Sequence, residues 1–212
     1  TIQDPHHNVM VVSDDAIKRP QRFKLKMKFK ARTASITYEL DPEQVLEGPY
    51  PHDVEPYLEP SELIESDHSL IRTTASQIVG AEMNPLKKAK KLFDYVYLNL
   101  DYNTNRGHLS ALNALKTKVG VCEDYSRLLV ALLRAEGIPA RIVSGYRLPA
   151  DEELEHVDLM QYRHMWVEFY LNGYGWIPAD PTITFTGKKQ VVDDNFAQLA
   201  GHYIVESSHL AP

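Results

Sequence analysis

The stretch Lys118-Val119-Gly120-Val121-Cys122-Glu123-Asp124-Tyr125-Ser126-Arg127-Leu128 is where the chain turns from loop into a long helix. Gly120 supplies a tight turn just ahead of it. From Cys122 to Glu136 the apolar residues Leu128, Leu129, Leu132 and Leu133 keep helical spacing, and Gly137 is placed to end the helix. Cys122 therefore falls at or near the first turn, where unpaired N–H groups and the positive dipole end favour an anion. For a thiol, that position means a lowered pKa and more thiolate at neutral pH. Two readings stay open from this stretch alone: a small hydrophobe packed in a core, or a nucleophile.

Upstream the pattern is helical. Leu70, Ile71, Ala75, Ile78 and Val79 keep helical spacing up to Gly80. Asn84-Pro85 opens a second helix with a stripe of Leu86, Ala89, Leu92, Phe93, Val96 and Tyr97, and Ser110 begins a short helix through Leu115. Downstream, from Pro139, the period changes to two. Tyr162–Leu171 and Tyr174–Ala179 read as strands joined by a hairpin turn at Asn172-Gly173, and Tyr203–Val205 as a last strand. Helices followed by strands indicate an α+β fold rather than a βαβ winding.

The N-terminal quarter is different. Residues 1–21 are polar and irregular, an arm or tail. Phe23, Leu25, Met27 and Phe29 alternate with lysines as in a half-buried strand, and Ile36, Tyr38 and Leu40 continue the alternation on the opposite parity. Residues 41–61 carry six of the Pro and Gly positions that block helix and central strand, and read as an extended connector. Residues 1–56 are thus expected to form an N-terminal arm and β-strand region, and 57–212 the main domain. The role of 1–56 is open between a separate β module, a cover and a strand completing the sheet.

Composition narrows the function classes. With 23 Lys+Arg against 29 Asp+Glu, the net charge of −6 argues against nucleic acid as a main partner. One cysteine in 212 residues excludes an intramolecular disulfide, a Cys-rich zinc site and a CxxC motif. No apolar run reaches the roughly 18 residues of a membrane span. Asp101-Tyr102-Asn103-Thr104-Asn105 begins like a calcium loop, but Arg106 and Leu112 occupy the positions of the required Gly and Glu. The histidines lack ligand spacing, so no metal and no cofactor is expected. The acidic run Glu152-Glu153-Leu154-Glu155 reads as a solvated loop, or as a cleft rim favouring cationic substrates. Oligomeric state is not legible.

A thiolate nucleophile needs a base, and the base an orienter. The best base is His164, in Tyr162-Arg163-His164-Met165-Trp166-Val167-Glu168-Phe169-Tyr170, and the best orienter is Asp180, in Gly175-Trp176-Ile177-Pro178-Ala179-Asp180-Pro181-Thr182. Both lie at similar distances from the Asn172-Gly173 turn, so their side chains can meet across the hairpin. Taken singly, His164 reads equally as a satisfied histidine and Asp180 as a turn residue before Pro181.

Gly-Val-Cys-Glu-Asp-Tyr at 120–125, His-Met-Trp-Val-Glu at 164–168 and Gly-Trp-Ile-Pro-Ala-Asp-Pro-Thr at 175–182 resemble, in that order, the bacterial transglutaminase-like superfamily, over roughly residues 57–182. The resemblance implies a papain-like core: a nucleophile Cys at a helix N-terminus packed on an antiparallel sheet carrying His and Asp. It implies that Cys122, His164 and Asp180 form a catalytic triad, with Tyr102, Trp166 and Trp176 at the substrate, Tyr102 reading also as a packed aromatic and the tryptophans as core. Met165 stands where the family commonly has Ala, and is expected to narrow the cleft. The implied function is a cysteine protease or amidase acting on a protein or peptide. The alternatives are a cross-linking transglutaminase and a non-catalytic binding domain of the same fold. An extracellular or cell-envelope setting fits the family and a start at Thr1 after removal of a leader; a trimmed chain fits that start as well, and the cytoplasm stays open.

Overall fold

The computed structural model describes residues 31–105, 109–149, 158–182 and 195–210, and the backbone of 2–4 and 7–9. The expected strand over 23–29 and the acidic loop at 152–155 lie outside the described residues. At the N-terminus β1 (Ile2–Asp4) pairs antiparallel with β2 (His7–Val9).

The helices start where their caps are. His68 accepts from the Leu70 N–H to open α1 (Ser69–Val79), and Gly80 at φ 62° closes it. Asn84 Oδ1 accepts from the Leu86 and Lys87 N–H groups at the head of α2 (Pro85–Asn99), whose buried residues are the six of the predicted stripe. Ser110 caps α3 (Ala111–Thr117), which ends on Lys118 in the left-handed region. α4 (Cys122–Ala135) follows at once. It buries Val130 and Ala131 as completely as Leu128, Leu129, Leu132 and Leu133, because it is the central helix, packed on α1, α2 and α3 and on the sheet. A single apolar stripe underestimates such a helix.

After α4 come β6 (Ala140–Arg147), β7 (Arg163–Leu171), β8 (Gly175–Ala179) and, near the C-terminus, β10 (Tyr203–Leu210). They form one antiparallel sheet in the order β10-β6-β7-β8. Val167, Phe169 and Leu171 join the core with α4, while Trp166 belongs to a second cluster with Val143 and Tyr203. Two short pairs complete the fold. β4 (Asp101–Tyr102) runs parallel to β5 (Val119–Gly120), and β3 (Ile36–Thr37) pairs with β9 (Gln198–Leu199). The expected alternation over Ile36–Leu40 thus yields only two strand residues, outside the four-stranded sheet. The connector nevertheless binds the main body: Leu46 N–H donates to Asn172 O, Asn84 Nδ2 to Pro42 O and Arg134 to the Glu59 carbonyl, and Val54 is buried. The expected boundary between 56 and 57 falls within this docked stretch. Among the described residues no helix is long and apolar enough to cross a membrane.

Gly145, opposite His164 on one side and Val205 on the other, is where three strands close up. A Cβ there would lie 1.9 Å from the Ile204 carbonyl oxygen and 3.0 Å from the Trp166 ring. Gly145→Ala is expected to cost roughly 2–3 kcal/mol by overpacking, read as a lowered urea midpoint. A midpoint equal to wild type contradicts this reading of the close approach.

Candidate active site

Three separate segments meet at the head of α4. Cys122 is its first residue and is half-buried, so its thiol is neither sealed in the core nor on open surface. The helix start is held by Asp124, a nearly fully buried residue in the first turn. Its Oδ2 accepts from the Val121 N–H at 2.9 Å and its Oδ1 from the Leu109 N–H at 2.6 Å. Gly120 is required by this carboxylate rather than by a turn conformation: a Cβ at 120 would meet Asp124 Cβ at 2.6 Å.

β7 brings His164 and β8 leads into Asp180. In the β7–β8 register Val167 faces Ala179, which leaves Asp180 one step beyond the paired region and diagonal to His164. His164 Nε2 lies 2.7 Å from Asp180 Oδ2. The Cys122 side chain acts on the same imidazole and also favours its charged form. The three residues predicted to act together are therefore brought together.

Electrostatics follow from burial and partners. Burial of the imidazole opposes its charge, but the Asp180 carboxylate, with Cys122, overrides this and raises His164 from 6.5 to about 9. Burial likewise opposes the charge of Asp180, whose exposure is 0%. The charge and hydrogen bond of His164, then Arg147 and Tyr203, hold its carboxyl well below the usual range.

The other three predicted residues separate. Tyr102 reaches the site: the β4–β5 pair sets it beside Gly120, and the Cys122 backbone and side chain both act on its hydroxyl. It is 39% exposed, and burial and the Cys122 side chain raise its pKa. Trp166 is 0% exposed, its ring stacked behind His164 at 6.3 Å and edge-on to Tyr203 at 5.3 Å. It backs the histidine from the core. Trp176 lies four residues, about 13 Å of strand, from Asp180. It packs on Tyr57, Tyr170 and the Arg141 guanidinium, away from Cys122. Met165 packs partly buried against the core cluster.

Sequence reasoning missed the groups behind Asp180. The Tyr203 hydroxyl donates to Asp180 Oδ2 at 2.6 Å, Arg147 Nη1 lies 3.5 Å from the same oxygen, and the Thr182 N–H donates to Oδ1 at 3.0 Å. It also missed Asp124, for which a signal existed: an acidic residue three positions after the helix entry. Among the described residues no group of three or more His, Cys, Asp or Glu side chains could hold a metal ion.

Comparison with known proteins fits this geometry. A family model described as the transglutaminase-like superfamily matches residues 72–181, just over half of the chain. An uncharacterised protein of Haemophilus influenzae is 29% identical over 177 residues, 73% of this chain and 48% of that protein. A protein-glutamine gamma-glutamyltransferase of Pseudomonas aeruginosa is 39% identical over 71 residues, 31% of this chain and 10% of that protein. The chain thus spans less than half the length of these curated relatives. A crystal structure of a candidate cysteine protease from Cytophaga hutchinsonii superposes with a TM-score of 0.58 at 23% identity, over 82% of this chain and 58% of that one, a likeness of fold.

The raised His164 pKa sets a pH dependence. The folded protein holds this proton more tightly than an unfolded chain, in which histidine titrates near ~6.5. The stability it contributes is therefore complete below about 6.5 and is lost as pH rises through about 9. In an NMR titration the His164 imidazole is expected to change near pH 9 in the wild type. In Asp180→Asn, where only Cys122 is left to oppose burial, it is expected to change at a clearly lower pH than in the wild type. A midpoint that Asp180→Asn leaves in place contradicts the assignment.

Proposed function

Because this chain belongs to the transglutaminase-like superfamily, we propose that it is a cysteine-dependent acyl-transfer enzyme acting on amide or peptide bonds, foremost as a hydrolase. The observation that carries the proposal is the His164–Asp180 hydrogen bond of 2.7 Å, on an imidazole that a half-buried Cys122 at a helix N-terminus also acts upon.

The steps follow from the positions. With His164 already holding its proton as an imidazolium, Cys122 reacts as the thiolate paired with it, and the sulfur attacks the carbonyl carbon of the amide. The resulting oxyanion forms at the head of α4, where the Cys122 N–H and the helix dipole favour negative charge. With that amide donating to the oxyanion, the Tyr102 hydroxyl can turn its own proton to the same oxygen as second donor. Collapse breaks the carbon–nitrogen bond, His164 protonates the leaving amine, and a thioester remains on Cys122. His164 then removes a proton from the acceptor, water or an amine. The new acyl bond forms, the thioester breaks and Cys122 is restored. Asp180 stabilises the imidazolium and fixes the ring orientation throughout.

A second reading is protein cross-linking, in which a lysine amine replaces water. It is favoured by the similarity to the Pseudomonas protein-glutamine gamma-glutamyltransferase. Both readings use the same three residues, and an intact set of them weighs against a non-catalytic binding domain.

Incubation with a glutamine-containing protein and a labelled primary amine separates them. Hydrolysis is expected, seen by mass spectrometry as new peptide termini or deamidated glutamine, and at least 10³-fold lower for Cys122→Ala. Amine incorporation dependent on Cys122 would replace hydrolysis by cross-linking as the main activity. Equal activity in Cys122→Ala overturns both.

A further inference from the structure

We propose that Tyr203 is a positioning residue of the site: its hydroxyl holds the Asp180 carboxylate against the pull of Arg147, and so fixes the His164 imidazole that serves Cys122. The inference rests on the acyl-transfer reading above and adds a residue from outside the family-matched segment, which ends at residue 181.

Asp180 Oδ2 is contested. His164 Nε2 approaches it at 2.7 Å, the Tyr203 hydroxyl at 2.6 Å and Arg147 Nη1 at 3.5 Å. The carboxylate is fully buried, so water does not hold its orientation. The longer contact to a full positive charge and the shorter one to a neutral donor compete for the same oxygen. The Arg147 side chain is partly exposed and sits with its guanidinium carbon 5.5 Å from the Tyr203 ring centroid. The short Tyr203 bond keeps Oδ2 where His164 can reach it. The phenol is itself kept un-ionised, because burial and then the Asp180 charge raise its pKa far above the ordinary range. It therefore remains a donor while His164 titrates.

The backbone is arranged to deliver this hydroxyl. Tyr203 is the first residue of β10 and faces Arg147 across the β10–β6 pair. Gly145, bare of a side chain, lets β10 close on β6 at Ile204. The ring is braced edge-on against Trp166 at 5.3 Å and against His164 at 5.9 Å. Among the described residues, the charged and titratable groups facing the His164–Asp180 pair are thus Cys122 from α4, Arg147 from β6, Tyr203 from β10 and, beside Cys122, Tyr102 from β4.

The test is Tyr203→Phe, which keeps the packed ring and removes only the donor, with a thermal melt to show that the fold is retained. Two readouts are taken: the His164 titration by NMR, which needs no substrate, and kcat and KM on an amide substrate. With the donor gone, Asp180 is expected to turn toward Arg147. The His164 midpoint should then fall by about one pH unit from its wild-type value, and kcat by about tenfold, with KM within twofold. The substitution Arg147→Gln in the Tyr203→Phe background should restore part of the midpoint, because the competing pull is gone. A His164 midpoint that is unmoved or moved upward in folded Tyr203→Phe overturns the proposal. A wild type inert toward amides and amines, with the midpoint still falling in Tyr203→Phe, removes the acyl-transfer reading but leaves the hold on Asp180 in place.

Discussion

A carboxylate with no solvent exposure is tolerated in a protein interior only when its charge is matched and its lone pairs are occupied. Asp180 meets that condition through groups from three directions: His164 on the neighbouring strand, Tyr203 and Arg147 from across the sheet, and the Thr182 amide of its own turn. The arrangement at Cys122 depends on it. Without the carboxylate, a ring as buried as His164 would favour its neutral form and would lose its partner on Nε2. Stability and proposed function therefore share one constraint, since the ion pair that makes the buried acid tolerable is also the one that keeps a proton on the histidine beside the thiol.

Two glycines and one buried acid convert that constraint into geometry. Gly120 lets the Asp124 side chain fold back under the entry to α4, which sets where the helix begins and hence where Cys122 stands. Gly145 lets β10 approach β6, which sets where Tyr203 stands. Between them the central helix carries the largest share of the core, so the sheet bearing His164 and the helix bearing Cys122 cannot shift independently.

Much of this was legible in the sequence because it is local. The caps at Asn84 and Ser110, the stripe of α2, the Asn172-Gly173 hairpin and the start of α4 at Cys122 are all written within a few residues of where they act. The meeting of His164 and Asp180 could be anticipated because one hairpin joins them. Tyr203 could be placed on a strand but not beside Asp180. Its position depends on a strand pairing over a long sequence separation, with register irregularities after Val205 that no local pattern encodes. Trp166 and Trp176 share the strand parity of His164 and Asp180. That parity could not say how far along the sheet each one sits, and the structure puts one behind the histidine and the other at the far end. The basic alternation before residue 31 lies outside the described residues, and Ile36 to Leu40 contributes only a two-residue pair.

Water and amine acceptors require the same nucleophile, the same proton carrier and the same oxyanion position, so the shared step is the formation of a thioester on Cys122. The most direct measurement is intact-mass spectrometry of the protein quenched in acid during turnover of an activated acyl substrate such as a nitrophenyl ester. The account predicts a transient mass increase equal to the acyl group, mapped by peptide digestion to Cys122, absent in Cys122→Ala and slower to form in His164→Ala. Turnover without an acyl group at Cys122, or the same adduct at the same rate in His164→Ala, would contradict it.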